Sequence, residues 1–175
     1  MRESKRSKIL AAAVEVVQRE GVTAVTFESV AAESGLTKGG LLYHFPTRVA
    51  LLLGVHQHVA REWDRAMTEA AGKSAAEATA EERLAAYARV ASRSGTRADL
   101  LLSLEASINP VYAEPWIEVM SQWAPSAKEA ETDPAAFDRF IARLAADGLW
   151  MYEALTGEEL APGLRQRVSD RLAGP

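Results

Sequence analysis

Apolar residues recur at intervals of three and four along most of the chain, which is the period of an amphipathic helix. The first such segment covers residues 3–20 and has one apolar face formed by Ile9, Ala13, Val16 and Val17. A longer segment, residues 47–71, has a stripe formed by Leu52, Val55, Val59, Trp63 and Met67. The pattern predicts two amphipathic helices, and the second would span more than ~30 Å at ~1.5 Å per residue.

Two shorter helices are predicted between these segments. Thr26 precedes a group of apolar residues and is a typical N-cap, and Gly35 ends the helix because glycine adopts a positive φ without steric cost. Thr37 can cap a second helix over residues 38–44, and Phe45 ends it because the residue before a proline is driven out of the α region. A helix, a glycine-bearing turn and a second helix form the layout of a DNA-binding helix-turn-helix, whose second helix enters the major groove.

The rest of the chain has the same helical periodicity. Further helices are predicted over residues 81–92, 97–107, 111–124, 134–156 and 163–172. Residues 72–80 and the acid-rich residues 128–134 are predicted as polar connections, and residues 97–107 are too apolar all round for a surface helix. The pattern therefore predicts an all-α fold of about nine helices. A three-helix head contains the helix-turn-helix, and a long helix joins it to a C-terminal helical body.

The composition narrows the class of protein. A hydrophobic content of 48% in 175 residues is enough for a sizeable core, and the lack of cysteine excludes disulfides and thiolate metal sites. No apolar run approaches the ~20 residues of a membrane span, and the N-terminus lacks a secretory apolar core. We therefore expect a soluble, cytoplasmic protein without a membrane partner.

The placement of the three histidines does not favour an enzyme. His56 and His58 would lie about 200° apart around one helix, so they do not converge on a metal, and His44 belongs to the helix-turn-helix. The sequence also lacks metal-ligand spacing, a glycine-rich phosphate loop and a nucleophile beside a recognisable base. We expect neither a metal nor another cofactor.

The net charge of −4 is unevenly distributed along the chain. Residues 1–48 contain seven Lys or Arg and five Glu, a balance of +2, so residues 49–175 carry −6. Four of the cations lie at the N-terminus: Arg2, Lys5, Arg6 and Lys8. They form either a solvated terminus or a set of phosphate contacts, which supply affinity without sequence preference. A basic module on an acidic body fits DNA binding that is confined to the head.

The run GLTKGGLLYHFPTR, with a helix on either side, resembles the DNA-binding segment of the TetR family of bacterial repressors. The resemblance implies a DNA-binding domain over residues 1–46 and a ligand-binding and dimerisation domain over residues 47–175. Together with the helix-turn-helix pattern, it predicts the DNA-binding residues Thr26, Thr37, Lys38, Gly39, Gly40, Tyr43, His44 and Arg48.

Individual residues of this run have specific expected roles. Lys38 is long enough to reach a guanine edge or a phosphate. In the family the tyrosine at the place of Tyr43 usually bonds a phosphate, although a half-buried core tyrosine is the alternative; Leu42 is expected in the core. Gly39 and Gly40 depart from the larger residues of the family, and each costs a helix roughly 1 kcal/mol relative to alanine. Their compensation would be a closer approach of the backbone to the bases.

The tryptophans all lie outside the head. Aromatic and methionine side chains at helical spacing are typical of an ordinary core and also of an adaptable drug pocket. Glu105, within an apolar helix, either faces solvent or provides a counter-charge for a cationic ligand, and Asp147 is a weaker candidate of the same kind. The predicted ligand-binding residues are Trp63, Leu100, Ser103, Glu105, Trp116, Met120, Trp123 and Trp150.

The segments LLLGVHQHVAREWDRAM, WIEVMSQWAP and LAADGLW resemble one branch of the TetR family, which includes a corynebacterial multidrug-responsive repressor of an efflux pump. This resemblance implies a flat, aromatic, cationic ligand that releases the repressor from DNA. A TetR-like regulator that answers to a lipid, a signalling lactone or a protein partner is the alternative.

The last two predicted helices indicate a homodimer. Leu164, Val168 and Leu172 are spaced four residues apart, and in TetR-like proteins the last two long helices pair with their copies. A dimer is also what a palindromic operator requires, because its two half-sites are related by a two-fold axis.

Overall fold

The computed structural model describes residues 4–173, apart from the side chains of residues 93 and 94. Ten α-helices and a short 3-10 turn, Val22–Ala24, lie within this range, which contains no strand. The helices are α1 (Lys5–Glu20), α2 (Phe27–Ser34), α3 (Lys38–His44), α4 (Arg48–Ala71), α5 (Ala80–Ser94), α6 (Arg97–Ile108), α7 (Pro110–Trp123), α8 (Ala127–Ala130), α9 (Pro134–Thr156) and α10 (Pro162–Leu172). The predicted all-α class is confirmed. None of these helices is both long enough and apolar enough to cross a membrane.

Local signals set the boundaries of α2 and α3. The Thr26 hydroxyl accepts a hydrogen bond from the Ser29 N–H over 3.0 Å, and Gly35 ends α2 with φ of 65°, in the left-handed region. The Thr37 hydroxyl caps α3 by accepting from the Gly40 N–H over 3.1 Å. Both predicted caps and the predicted glycine stop are therefore confirmed.

One short helix departs from the prediction. Residues 128–134 were expected to form a polar connection, but Ala127–Ala130 forms α8. Its first turn is capped by Ser126, whose hydroxyl accepts from the Glu129 N–H over 3.5 Å. A serine cap is enough to close one helical turn in a sequence without apolar periodicity.

The chain divides into two compact units. Of the described residues, the head unit contains those up to Ala60 together with Arg97–Trp116, and the body unit contains Arg61–Thr96 together with those from Ile117 onwards. Helices α4 and α7 therefore each contribute residues to both units. The head unit is larger than the three-helix head predicted from the sequence, because it also includes α6 and the first part of α7, with Trp116.

The core of the head unit is built from the predicted apolar faces. The four apolar residues of the α1 face are completely buried, and so are Val30 of α2 and Leu41 of α3. Leu42 was expected in this core, but it is partly exposed. A helix of seven residues buries only one side, and Leu41 occupies that side in α3.

Helix α6 is joined to α1 within the head unit by two hydrogen bonds to Gln18. The Ala98 N–H donates to Oε1 of Gln18 and the Arg97 guanidinium donates to its backbone carbonyl oxygen, each over 2.7 Å. Leu100 and Leu102 are buried, whereas Leu104 is 56% exposed. The expectation that residues 97–107 are buried all round is therefore wrong for one side of α6.

The body unit packs α5 against α9, with α8 and α10 beside them. The predicted apolar face of α5 is buried and consists of Leu84, Tyr87 and Ala91. Helix α9 buries Ala136, Ala146 and Leu149. Five further apolar residues of α9 are exposed and form a row: Phe137, Ile141, Leu144, Met151 and Leu155.

Candidate functional site

Helix α3 presents a polar surface around one exposed aromatic side chain. Tyr43 is 86% exposed, because the neighbouring Leu41 takes the core-facing position. This exposure excludes the core alternative for Tyr43. His44 is half-buried, and its ring meets the Tyr43 ring edge to face with centroids 5.2 Å apart. The Tyr43 hydroxyl is thus available to an external partner.

Lys38 stands at the first position of α3 and pairs with an acid of α2. Its Nζ lies 2.5 Å from Oε1 of Glu28, and both side chains are more than half exposed. The hydrogen bond from Lys38 lowers the pKa of Glu28 below its usual value. Lys38 therefore has an acidic partner in the free protein, and binding of Lys38 to a phosphate or a base would have to compete with this exposed and weak ion pair.

The two threonines among the predicted DNA-binding residues act as helix caps. Thr26 and Thr37 use their hydroxyl oxygens to accept the N–H groups of Ser29 and Gly40. The Thr26 hydroxyl also donates its proton to Oγ of Ser29 over 3.1 Å, so a bond from Thr26 to a phosphate would have to replace this contact. A hydroxyl has a rotatable proton, so capping leaves Thr37 able to donate to a phosphate oxygen.

Gly39 and Gly40 differ in the space around them. A Cβ atom at Gly39 would meet nothing within 4 Å, whereas one at Gly40 would lie 3.3 Å from the Thr37 hydroxyl oxygen. Packing within the described residues therefore does not require glycine at position 39. A requirement for glycine there would have to come from a binding partner.

Arg48, the first residue of α4, is tied to the backbone of the head unit. Its guanidinium donates to the carbonyl oxygens of Val25 and Val22, each over 2.9 Å. These carbonyls belong to the 3-10 turn and the residue after it. Arg48 thus fixes the segment between α1 and α2, and its predicted contact with DNA remains a prediction.

Three N-terminal cations have no acidic partner among the described residues. Within residues 4–173, Lys5, Arg6 and Lys8 form no ion pair with an acid, whereas Arg19 pairs with Glu33 over 2.9 Å. The Arg6 guanidinium lies 5.2 Å from the ring centroid of Phe45, the residue that follows α3. Arg6 is thereby held beside the helix-turn-helix, and Arg2 lies outside the described residues.

Among the predicted ligand-binding residues, the structure brings Trp63 and Trp150 together in the body unit. Their ring centroids are 6.3 Å apart at an angle of 63°, and Tyr87 lies 6.5 Å from Trp63. The indole N–H of Trp150 is buried and has no hydrogen-bond partner among the described residues. Trp150 also packs against Gly95, where a Cβ atom would come within 2.4 Å of it.

Trp123 has the surroundings of a core residue. It is 1% exposed, and its indole N–H donates to Oδ1 of Asp64 over 2.7 Å. Met120, one turn earlier on α7, is half-buried. Asp147 has two partners, because it accepts from the Tyr87 hydroxyl and lies 3.7 Å from Nε of Arg143. A ligand cation would therefore have to compete with Arg143 for Asp147.

Trp116 belongs to the head unit, where its partner is His56. The Trp116 indole N–H donates to Nδ1 of His56 over 3.0 Å, and Tyr112 stacks on the same imidazole with centroids 4.7 Å apart. Burial lowers the pKa of His56 to about 4, so its ring is neutral at pH 7. The contacts of His56 with Tyr112 and Trp116 were not predicted from the sequence, where His56 was weighed only as a metal ligand.

Glu105 is a half-buried carboxylate of the head unit. It forms no hydrogen bond or ion pair with another described residue. Burial raises the pKa of the Tyr112 hydroxyl, and the negative charge of Glu105 raises it further. Leu100 is buried and Ser103 is half-buried on the same helix. The carboxylate of Glu105 thus lies close enough to Tyr112 for a cation to contact both side chains.

The geometry defines a helix-turn-helix DNA-binding protein with a separate helical body. Two family models match it: the bacterial regulatory protein TetR family over residues 9–55, and the tetracyclin repressor-like C-terminal domain over residues 81–174. The chain therefore belongs to the TetR family of transcriptional regulators. Members of this family are DNA-binding transcription factors and not enzymes.

Solved structures of similar proteins share the fold over almost the whole chain. A transcriptional regulator from Rhodococcus sp. Rha1 has a TM-score of 0.74 and 15% identity, with 98% of this chain and 95% of that chain covered. A regulator from Streptomyces coelicolor A3(2) has a TM-score of 0.63 and 24% identity, with 97% and 98% covered.

The multidrug binding protein EbrR in complex with malachite green is a third similar structure. It has a TM-score of 0.62 and 22% identity, with 99% of this chain and 100% of that chain covered. No curated protein matches the chain.

Proposed function

We propose that this TetR-family regulator is a homodimeric repressor, which binds a palindromic operator and is released by a flat, aromatic, cationic ligand. Such a ligand makes an efflux transporter gene the expected target, as in the corynebacterial branch that the sequence resembles. The observation that carries the ligand assignment is Glu105, a half-buried carboxylate without an ion pair among the described residues, close enough to act on the pKa of Tyr112.

The DNA-binding part rests on the surface of α3 and its surroundings. Tyr43 offers an exposed hydroxyl, and Lys5, Arg6 and Lys8 supply cations that no acid of the described chain neutralises. Hydroxyl and cationic groups are the usual donors to phosphate oxygens and set the register of a protein on DNA. Base readout would fall to Lys38 and His44, since the two glycines of α3 have no side chains.

The proposed cationic ligand is supported by aromatic side chains that lie close to a carboxylate. The faces of Trp116 and Tyr112 can attract a cation, and the carboxylate of Glu105 can balance its charge. EbrR, which has a similar fold, is a multidrug binding protein that has been solved with malachite green. A cationic dye is therefore the appropriate first probe.

The dimer is supported by the exposed apolar row on α9. Phe137, Ile141, Leu144, Met151 and Leu155 fall within about 40° of one line along the helix, at ~100° per residue. A contiguous apolar row of this length on a surface helix is typical of a protein–protein contact. The row lies on α9, which is one of the two C-terminal helices that the sequence analysis associated with dimerisation.

Release would follow from a ligand that prefers a conformation unable to bind DNA, since only differential affinity shifts an equilibrium. Helix α4 begins in the head unit and ends in the body unit. A displacement of its C-terminal end on ligand binding would change the separation of the two heads of the dimer on the operator.

The experiment combines two titrations of the full-length protein with malachite green. The first follows tryptophan fluorescence, and the second follows the anisotropy of a labelled DNA fragment from upstream of the protein's own gene. We expect quenching at micromolar dye together with release of the DNA. DNA binding that responds only to acyl lipids or lactones would retain the repressor and refute the cationic ligand. Failure to bind any promoter DNA would refute the repressor.

A further inference from the structure

His56 is the buried polar side chain of α4 that the DNA-binding and dimerisation surfaces do not use. Its residue exposure is 0%, and its ring is fixed from two sides by α7. Trp116 donates to Nδ1, and Tyr112 lies nearly parallel to the imidazole, with 10° between the two planes. The ring therefore has one defined orientation.

The hydrogen bond from Trp116 also fixes the tautomer of His56. An indole N–H can only donate, so Nδ1 must be the unprotonated acceptor nitrogen. A neutral imidazole has one proton, which is then on Nε2. His56 is therefore an N–H donor at Nε2, and it is uncharged at pH 7 because burial depresses its pKa.

This donor has no hydrogen-bond partner in the part of the chain that the structure describes. The Nε2 atom is buried and makes no hydrogen bond with any of the residues that the structure describes. An unsatisfied buried donor costs about 1–3 kcal/mol, and nearly all buried polar groups in native proteins avoid that cost by pairing. The missing acceptor must therefore come from outside the described residues.

The surroundings indicate the chemistry of that acceptor. Tyr112 and Trp116 present aromatic rings, and the one polar donor of Trp116 is already used on Nδ1. A water at Nε2 could accept the same proton, but a water cannot stack on these rings. A flat ring system with an acceptor atom at its edge would satisfy Nε2 and stack on the same rings.

We infer that the Nε2–H of His56 donates a hydrogen bond to the inducer, and that the inducer is a flat ring compound with a carbonyl, ether or aromatic-nitrogen acceptor. This inference rests on the proposed ligand-responsive function and adds a specificity determinant to it. A neutral His56 does not repel a positively charged ring, so the acceptor requirement applies to cationic and neutral ligands alike.

The test compares xanthone with xanthene, in which a methylene replaces the carbonyl group. Both are titrated into full-length protein labelled with 15N-histidine, and affinity is read from tryptophan fluorescence. Long-range 1H–15N spectra report the protonation of each ring nitrogen. We expect xanthone to bind about tenfold more tightly, as one hydrogen bond would give. Only xanthone should shift the Nε2 resonance of His56.

The variant His56→Phe keeps an aromatic ring and removes the donor, and it should abolish the preference for xanthone. The matched control is His58→Phe, two residues further along α4, which should keep the preference. If loss of the acceptor for Trp116 prevents His56→Phe from folding, the double variant with Trp116→Phe removes the unpaired indole N–H, and the ratio of the two affinities is measured there.

Three results would overturn the inference: equal affinities of the wild-type protein for xanthone and xanthene, binding of neither compound, or a saturating complex with xanthone that leaves the Nε2 resonance unchanged. The malachite green titration separates these results from the proposed function. DNA release by malachite green without a xanthone preference refutes only the role of His56. A xanthone preference without release by malachite green supports His56 and refutes the cationic inducer.

Discussion

At the scale of single residues, the proposed DNA-binding surface contains polar side chains that form no hydrogen bond with another described residue. Tyr43 is the clearest case, because a large aromatic side chain is 86% exposed at the end of α3. Its hydroxyl makes no hydrogen bond with another residue of the described chain. The side chain is thus placed for an external acceptor, and a phosphate oxygen is the acceptor that DNA offers.

Replacement of Tyr43 by phenylalanine tests this role. Tyr43→Phe removes only the hydroxyl, and we expect about a 5- to 10-fold loss of DNA affinity for any sequence, since one hydrogen bond contributes about 1 kcal/mol. Fluorescence anisotropy with operator and unrelated DNA would measure it. The control is Tyr152→Phe, which removes an exposed hydroxyl from α9 and should leave DNA affinity unchanged.

Glu28 limits the availability of Lys38. Glu28→Gln removes the acid that lies 2.5 Å from Lys38, so the lysine becomes free to neutralise a phosphate. We expect DNA affinity to rise, and the slope of log affinity against log salt to steepen by about one. Glu62→Gln, which breaks a comparable pair with Arg65 on α4, is the control and should change neither quantity. An unchanged salt slope would show that Lys38 stays away from phosphate.

Replacement of Gly39 should affect the stability of the free protein and its affinity for DNA in opposite directions. A Cβ atom meets open space there, so Gly39→Ala should stabilise α3 by up to about 1 kcal/mol and raise the melting temperature. If the backbone approaches the bases at this point, the same variant should lose DNA affinity. Higher stability with undiminished affinity would exclude the close approach.

At the scale of elements, the sequence predicted where helices begin and end, but it predicted only partly which side of each helix is buried. The start and end of α3 and of α9 follow from caps, glycines and prolines that act on the adjacent turn. The periodic stripe of α4 is buried as predicted. The exposure of Leu42 and the exposed side of α6 were not predictable, because periodicity gives a face and not the neighbour that covers it.

The apolar row of α9 leads to a prediction about assembly. Leu144→Arg places a charge in the middle of the row, and we expect the dimer to dissociate, with sedimentation at the monomer mass and weaker operator binding. Ala135→Arg adds the same side chain about 160° around α9 and should leave the dimer intact. A Leu144→Arg protein that sediments as a dimer would exclude this row as the interface.

At the scale of the whole molecule, the two units carry different kinds of candidate site. The head unit contains the predicted DNA-binding residues and the group of His56, Tyr112 and Trp116, whereas the body unit contains Trp63 and Trp150. The predicted set of ligand residues is thus divided into two groups. Each group has its own buried N–H donor without a described partner, at His56 and at Trp150.

The stability of the whole protein should depend on pH through His56. Its pKa is about 4 in the folded state against 6.5 for an unperturbed histidine, so between these values the unfolded state binds more protons. The free energy of unfolding therefore falls as pH is lowered from 6.5 to 4, by at most about 1.4 kcal/mol per pH unit from this residue.

The contribution of His56 to the free energy of unfolding can be isolated by urea unfolding of the wild-type protein and of His56→Phe. The measurements cover pH values from about 4.5 to about 7, roughly the window in which His56 changes its charge. Carboxylates titrate in both proteins and cancel in the comparison. We expect a shallower pH dependence in His56→Phe. Parallel curves for the two proteins would show that His56 has the same pKa in the folded and unfolded states, and would refute the depressed pKa.

The sequence by itself determined the all-α class, the helix-turn-helix and most helix boundaries, because these depend on hydrogen bonds and apolar periodicity within a few residues of the chain. Only the tertiary structure decided which side chains meet. Trp116 and His56 are 60 residues apart, as are Tyr87 and Asp147, and no local pattern relates them. Such pairs arise from the packing of one helix on another, which also leaves the Nε2 donor of His56 buried without a partner among the described residues.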